Sequence, residues 1–157
     1  MPTVYEDISF GLKELGNEDS IIEKRVSEAL SLVNLQGFQN KNSHILSLGQ
    51  KKRICLAAAL ARLPKLLLLD EPTNELDPGG RRSFIKLLKG LSIPQLIVSH
   101  DLNMIAETCD RVLVMRPGGI AALGKTQDIM RNKALMESNQ LEVPAFFASQ
   151  ENHNNSK

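Results

Sequence analysis

Tryptophan is absent from these 157 residues, and only six side chains are aromatic, Tyr5 and five phenylalanines. Single-strand nucleic-acid surfaces rely on aromatic rings for base stacking, so this composition argues against one. Charge of one sign is equally scarce, with 19 Lys and Arg against 18 Asp and Glu. Such a balance supplies no long-range field toward nucleic acid or an anionic membrane. The two cysteines, Cys55 and Cys109, fall in no metal-ligand spacing. With no secretory signal, they read as reduced, buried thiols of a cytosolic protein. Long apolar runs are missing too. The run at 66–69 has a strand's length, far below the ~20 residues of a membrane-spanning helix. Any membrane link therefore runs through a partner. What remains is a chain long enough for one domain with its own core.

Periodicity predicts a helical front third and an α/β remainder. One short helix is expected over 5–15, stopped by Gly16-Asn17. A second, over 21–33 with Asp19 or Ser20 as cap, places Ile22, Val26, Ala29, Leu30 and Val33 on one face. Gly37 closes it. A third, rich in Ala and Leu, begins at Gly49 or Gln50 and runs to Arg62, and Pro64 ends it. Strands at 66–70, 96–99 and 112–115 then alternate with helices near 81–89 and 101–108, which predicts a parallel sheet with covered faces. Pro117-Gly118-Gly119 signals a turn, followed by a short strand at 120–123 and a last helix over 126–137. The polar end, 150–157, is expected to fray.

Three blocks carry the chemistry: LSLGQKKR at 46–53, LLLLDEPTNELD at 66–77 and IVSH at 97–100. An apolar run ending in two carboxylates reads as a strand delivering Asp70 and Glu71 to the C-terminal edge of a sheet, where open α/β folds bind ligands. Asp70 there can hold Mg2+, which prefers oxygen ligands and keeps much of its water. Glu71 can polarise a water for attack on a γ-phosphate. Alone, the same block is equally a strand with a solvated Asp-Glu end. Asp77 follows a Pro-Thr-Asn turn and can reach a facing surface. His100 follows another apolar strand, which sets its imidazole at the same sheet edge as Asp70, able to donate to a phosphate oxygen or hold the attacking water. Ser47 can cap the third helix, whose N-H groups attract phosphate, although capping alone is the common use of such a serine. Lys51-Lys52-Arg53 reads as a solvated turn of that helix. His44 is a loop residue and His153 lies in the tail.

In this order and spacing, LSLGQ, LLLLDEP, NELD and SH resemble the signature, Walker B, D-loop and H-loop of an ABC-transporter ATPase subunit. The resemblance covers nearly the whole chain. PTVYEDISFGLKELG is similar to the segment after the Q-loop in cobalt/nickel and energy-coupling-factor importers, and IAALGKTQDIM and LEVP echo their C-terminal stretch. It implies a partial P-loop NTPase fold: a helical subdomain plus the second half of the parallel-sheet core. The corresponding division is 1–62, ending in the signature helix; 63–125, the second half of the core; and 126–157, a C-terminal helix and flexible tail. By the same resemblance, Ser47, Gly49 and Gln50 touch the γ-phosphate of ATP held by an opposing subunit. Asp70 serves Mg2+, Glu71 is the general base, Asp77 works across the dimer interface, and His100 senses the γ-phosphate. The implied partners are a second ATPase subunit, identical or different, and an integral-membrane transporter subunit, with no nucleic acid. The implied location is the cytoplasmic face of the cell membrane.

Two departures stand out. Leu48 occupies a position where the family usually has glycine, adding bulk and removing access to positive φ. Before Tyr5 there is no adenine-contacting aromatic, Walker A loop or Q-loop. Gly119–Thr126 does spell G-x-x-x-x-G-K-T, but Ile-Ala-Ala-Leu between the glycines suits a strand better than an anion nest, and the block follows Walker B. We read it as a decoy. The expectation is a truncated chain with apolar faces exposed at 66–69 and 96–98, poorly stable alone and without intrinsic ATP turnover. Two functions follow: an ATP-hydrolysing component of a metal-ion or vitamin importer, or a non-catalytic half-subunit lending its signature motif to a partner's ATP. The cargo is not written in these residues.

Overall fold

Thr3 starts the first helix, α1 (Val4–Glu14), through a reciprocal cap: its hydroxyl accepts from the Glu6 N-H at 3.2 Å, and its own N-H donates to Glu6 Oε2 at 2.7 Å. The hydrogen bonds from Thr3 hold the Glu6 carboxyl below its usual pKa. In the computed structural model, which describes residues 2–147, the chain falls into two compact units that divide between Leu96 and Ile97.

In the first unit, Val4, Ile8 and Leu12 recur at helical spacing on α1 and are buried. They pack with α2 (Asp19–Leu32) and α3 (Leu48–Ala61). All five residues expected on the inner face of α2 are buried, none more than 2% exposed. Backbone bonds from Val4 N-H to the Lys41 carbonyl (2.9 Å) and from Tyr5 N-H to the Gln39 carbonyl (2.9 Å) tie the start of α1 to the segment leading into α3. Gly16 (φ 72°) and the Asn17 side chain, donating to the Leu12 carbonyl at 2.8 Å, close α1 as expected. The ends of α2 differ from expectation. Its N-cap is Glu18, which makes no side-chain capping bond, and its close falls at Asn34 (φ 57°), three residues before Gly37. Asparagine tolerates the left-handed region well enough to do glycine's work there.

Strand β1 (Leu67–Asp70), α4 (Pro78–Lys89) and the start of β2 (Gln95–Val98) follow. β1 and β2 form one two-stranded sheet. Leu67 is buried, whereas Leu66, Leu68, Leu96 and Val98 are 49, 70, 57 and 59% exposed. β1 is therefore covered on the face of Leu67 and open on the face of Leu68, so the cover on both faces expected from the α/β alternation is only half present among the described residues, and the open positions fall within 66–69 and 96–98.

The second unit holds α5 (Leu102–Thr108), β3 (Arg111–Arg116), β4 (Gly119–Lys125), α6 (Thr126–Met130) and α7 (Lys133–Ser138). β3 does not extend a parallel sheet. It pairs antiparallel with β4 through the turn at Pro117-Gly118, where Gly118 sits at φ 83°. A two-residue connection permits a hairpin and forbids a parallel crossover. Ala121 is the extra residue of a bulge, since Val114 faces Ala122 and Met115 faces Ile120. The single helix expected over 126–137 is two. Asn132 interrupts it by capping α7, its side chain accepting from the Leu135 N-H at 3.1 Å. Met104, Met130 and Met136 are buried in this unit. The expected fraying at 150–157, and His153 with it, lies outside the described residues.

Both cysteines are unbridged, as expected, but Cys55 is exposed on α3 instead of buried. Cys109 is half-buried, and burial raises its thiol pKa, with a bond from Thr108 opposing and Asp110 adding to the rise.

Candidate functional site

Ser47 adopts an extended backbone and caps α3. Its Oγ accepts from the Gln50 N-H at 3.3 Å, and its N-H donates to Gln50 Oε1 at 3.0 Å. Capping, the plain reading of Ser47, is thus part of its role. The box engages both side chains as acceptors, so it consumes neither the Ser47 hydroxyl hydrogen nor the Gln50 amide hydrogens. The helix end therefore keeps donors suited to an anion. Leu48 is the first helical residue and is 40% exposed. It is not among the positive-φ residues, so leucine meets no backbone penalty there. Beside it, a Cβ added at Gly49 would lie 3.7 Å from Leu76 Cδ2, an ordinary contact.

β1 delivers Asp70, exposed, at its last position. Glu71 follows at φ 43°, in the left-handed region. For a non-glycine residue that conformation costs about 1–2 kcal/mol and is held only by surrounding structure. The holding groups are present. Pro72 and Thr73 are buried, and the Glu71 carbonyl accepts from the Asn74 N-H at 3.2 Å and from Lys52 Nζ at 3.4 Å. A cleft of about 420 Å³ brings Leu48 and Lys52 of α3 together with Leu68, Asp70 and Pro72. Asp77 caps α4, its carboxylate accepting from the Gly80 N-H at 2.7 Å, with Pro78 at the first helical position.

The first unit thus contains Ser47, Gly49, Gln50, Asp70, Glu71 and Asp77, whereas His100 belongs to the second. His100 follows β2 and is exposed, its carbonyl accepting from the Leu102 N-H at 3.0 Å. Among the described residues, no three His, Cys, Asp or Glu side chains converge as a metal-binding set.

Of Lys51-Lys52-Arg53, read as a solvated turn, only Lys51 is exposed. Arg53 donates to the Val33 carbonyl at 2.8 Å and to Ser83 Oγ at 2.6 Å, and Lys52 reaches Glu71. In one dimension a charge run on a helix looks solvated, which hides the roles of Lys52 and Arg53. The available signal was their position, one turn into a helix that must pack beside the acidic strand end. The G-x-x-x-x-G-K-T stretch forms β4 as far as Lys125, its backbone paired with β3, and its last residue opens α6. Thr126, the residue that would serve a cation in a phosphate loop, is buried and donates to the Cys109 carbonyl at 2.5 Å.

Known proteins resemble this chain over most of its length. The family model described as ABC transporter matches residues 2–74. The chain is 42% identical over 144 residues to an ABC transporter ATP-binding protein of Geobacter sulfurreducens, covering 92% of this chain and 58% of the relative. It is 40% identical over 148 residues to the energy-coupling factor transporter ATP-binding protein EcfA of Methanocaldococcus jannaschii, covering 91% of this chain and 52% of that one. The solved structure of cbiO1 from Clostridium perfringens, described as part of the ABC transporter complex cbiONQ, superposes with a TM-score of 0.76 at 36% identity, over 95% of this chain and 61% of that one. The fold is that of part of an ABC ATPase. Over nearly its whole length the chain is similar to ABC-transporter ATP-binding proteins, among them those of the energy-coupling factor type. It spans little more than half the length of these curated relatives.

Among the described residues, no helix is long and apolar enough to cross a membrane.

Proposed function

We propose that the chain supplies the γ-phosphate-facing side of an ATP site and hydrolyses ATP as part of a metal-ion or vitamin importer, together with a second ATPase subunit and an integral-membrane subunit. The observation that carries this reading is the common unit in which a capped, donor-bearing helix end (Ser47, Gly49, Gln50) accompanies the strand-end acids Asp70 and Glu71. In the proposed roles, the helix end faces ATP held by the opposing subunit, and Asp77 reaches across the same interface. Glu71 takes a proton from water as the water oxygen bonds to the γ-phosphorus, the bond to the bridging oxygen breaks, and ADP leaves. His100 contacts the γ-phosphate. An exposed carboxylate such as Asp70 suits Mg2+, which takes one or two carboxylates and fills its shell from water and phosphate. The ion, when bound, neutralises charge on the phosphates. Residence on the inner face of the membrane, held by the partner, follows from these roles.

The test is ATP turnover in the reconstituted complex with Glu71→Gln in this chain. Loss of about 10²-fold or more is expected for removal of a general base. Turnover within a few-fold of the unsubstituted complex would refute catalysis here and leave a subunit that lends only Ser47, Gly49 and Gln50 to its partner's nucleotide.

A further inference from the structure

We infer that Lys52 is a positioning residue for Glu71, fixing the backbone of the acid through its carbonyl. Three observations on one short stretch lead there. Glu71 stands at φ 43°, a conformation its own side chain does not favour. Its carbonyl receives the ammonium of Lys52 at 3.4 Å and the Asn74 N-H at 3.2 Å. Lys52 itself is part-buried and rises from α3, the helix that Ser47 caps. A carbonyl accepts two donors through its two lone pairs, and a charged donor strengthens the arrangement beyond what the turn alone supplies. Rotating Glu71 back to negative φ would swing that carbonyl away from both donors. The lysine therefore locks the orientation from which the carboxylate leaves the strand end. It also links the phosphate-facing helix end to the acid within one chain, so that displacement of α3 bears directly on Glu71. The geometric part stands on the structure alone. The catalytic consequence rests on the reading of Glu71 as general base.

Amide hydrogen exchange on the full chain tests it. Lys52→Met is expected to speed exchange at Asn74, whose acceptor is the Glu71 carbonyl, by about tenfold, with the α3 amide of Lys51 unchanged. Lys52→Arg, which keeps the charge and reach, is expected to restore protection. Should Lys52→Met not fold, Lys52→Gln removes the charge and is read the same way. Unchanged exchange at Asn74, or equal acceleration along α3, would overturn the inference, the latter by showing general loosening. In a reconstituted complex, Lys52→Met is expected to lower kcat about tenfold and leave KM for ATP unchanged. Faster exchange at Asn74 in a chain whose unsubstituted complex never turns over ATP would remove the catalytic reading and leave the positioning role intact.

Discussion

Arg53 donates to Ser83 Oγ at 2.6 Å with one arm of its guanidinium and to the Val33 carbonyl at 2.8 Å with the other. One side chain thereby joins α3 to α4 and to the end of α2. Hydrogen bonds from a charged group contribute about 1.5–3 kcal/mol each, and a carbonyl left without its donor adds a penalty. Arg53→Met is expected to lower the urea midpoint by an amount corresponding to about 2–3 kcal/mol. Ser83→Ala should cost about 1 kcal/mol, and the double substitution less than the sum. Full additivity would mean that the two side chains do not act as a pair.

Asp77 has a visible structural role and a proposed functional one, and substitution separates them. Asp77→Ala removes the cap on α4 and should cost about 1 kcal/mol, whereas Asp77→Asn retains a capping oxygen and should be near neutral in urea unfolding. If the carboxylate also acts across a subunit interface, the asparagine variant keeps its stability and still slows ATP turnover in the assembled complex. Wild-type turnover in that variant would confine Asp77 to its cap.

Gly49 offers the converse case. A methyl group there meets only Leu76 at an ordinary distance, and alanine suits a helix better than glycine by about 0.5–1 kcal/mol. Gly49→Ala should therefore unfold at equal or higher urea concentration. Its cost should appear only in ATP turnover of the complex, where a methyl group would crowd the approach of phosphate to the helix end. A destabilised variant would show that this glycine serves the fold.

Lys125 should be indifferent to nucleotide. Titration of a fluorescent ATP analogue into the chain is expected to give the same response for Lys125→Ala as for the unsubstituted protein. Loss of binding in that variant would restore the G-x-x-x-x-G-K-T stretch as a phosphate loop. Thr126→Val, by contrast, should destabilise by about 1–3 kcal/mol, because it leaves the Cys109 carbonyl without its donor.

Local pattern was enough to read the inner face of α2, the cap of α3 at Ser47 and the acid pair at the end of β1. Each of these is set by residues within a few positions of one another. The roles of Lys52 and Arg53 depend on carbonyl and hydroxyl partners 19 to 30 residues away, which helical periodicity does not encode. The break at Asn132 was hidden for a different reason. A capping asparagine inside a polar stretch looks the same as a solvated one until its side chain is seen to accept from Leu135. Glu71 illustrates a third kind of opacity. Nothing in the letters Asp-Glu-Pro announces a left-handed glutamate, because the conformation is imposed by packing at Pro72 and Thr73 and by donors from elsewhere.

Leu68, 70% exposed between Leu67 and Leu69, also bears on the lifetime of the chain in a cell. An uncovered leucine strand is the kind of surface that chaperones retain and proteases sample. The abundance of the chain should then follow the supply of whatever covers that strand more closely than its own unfolding rate. Pulse-chase labelling would show this as a longer half-life for Leu68→Lys than for the unsubstituted chain when each is expressed alone, and equal half-lives would exclude it.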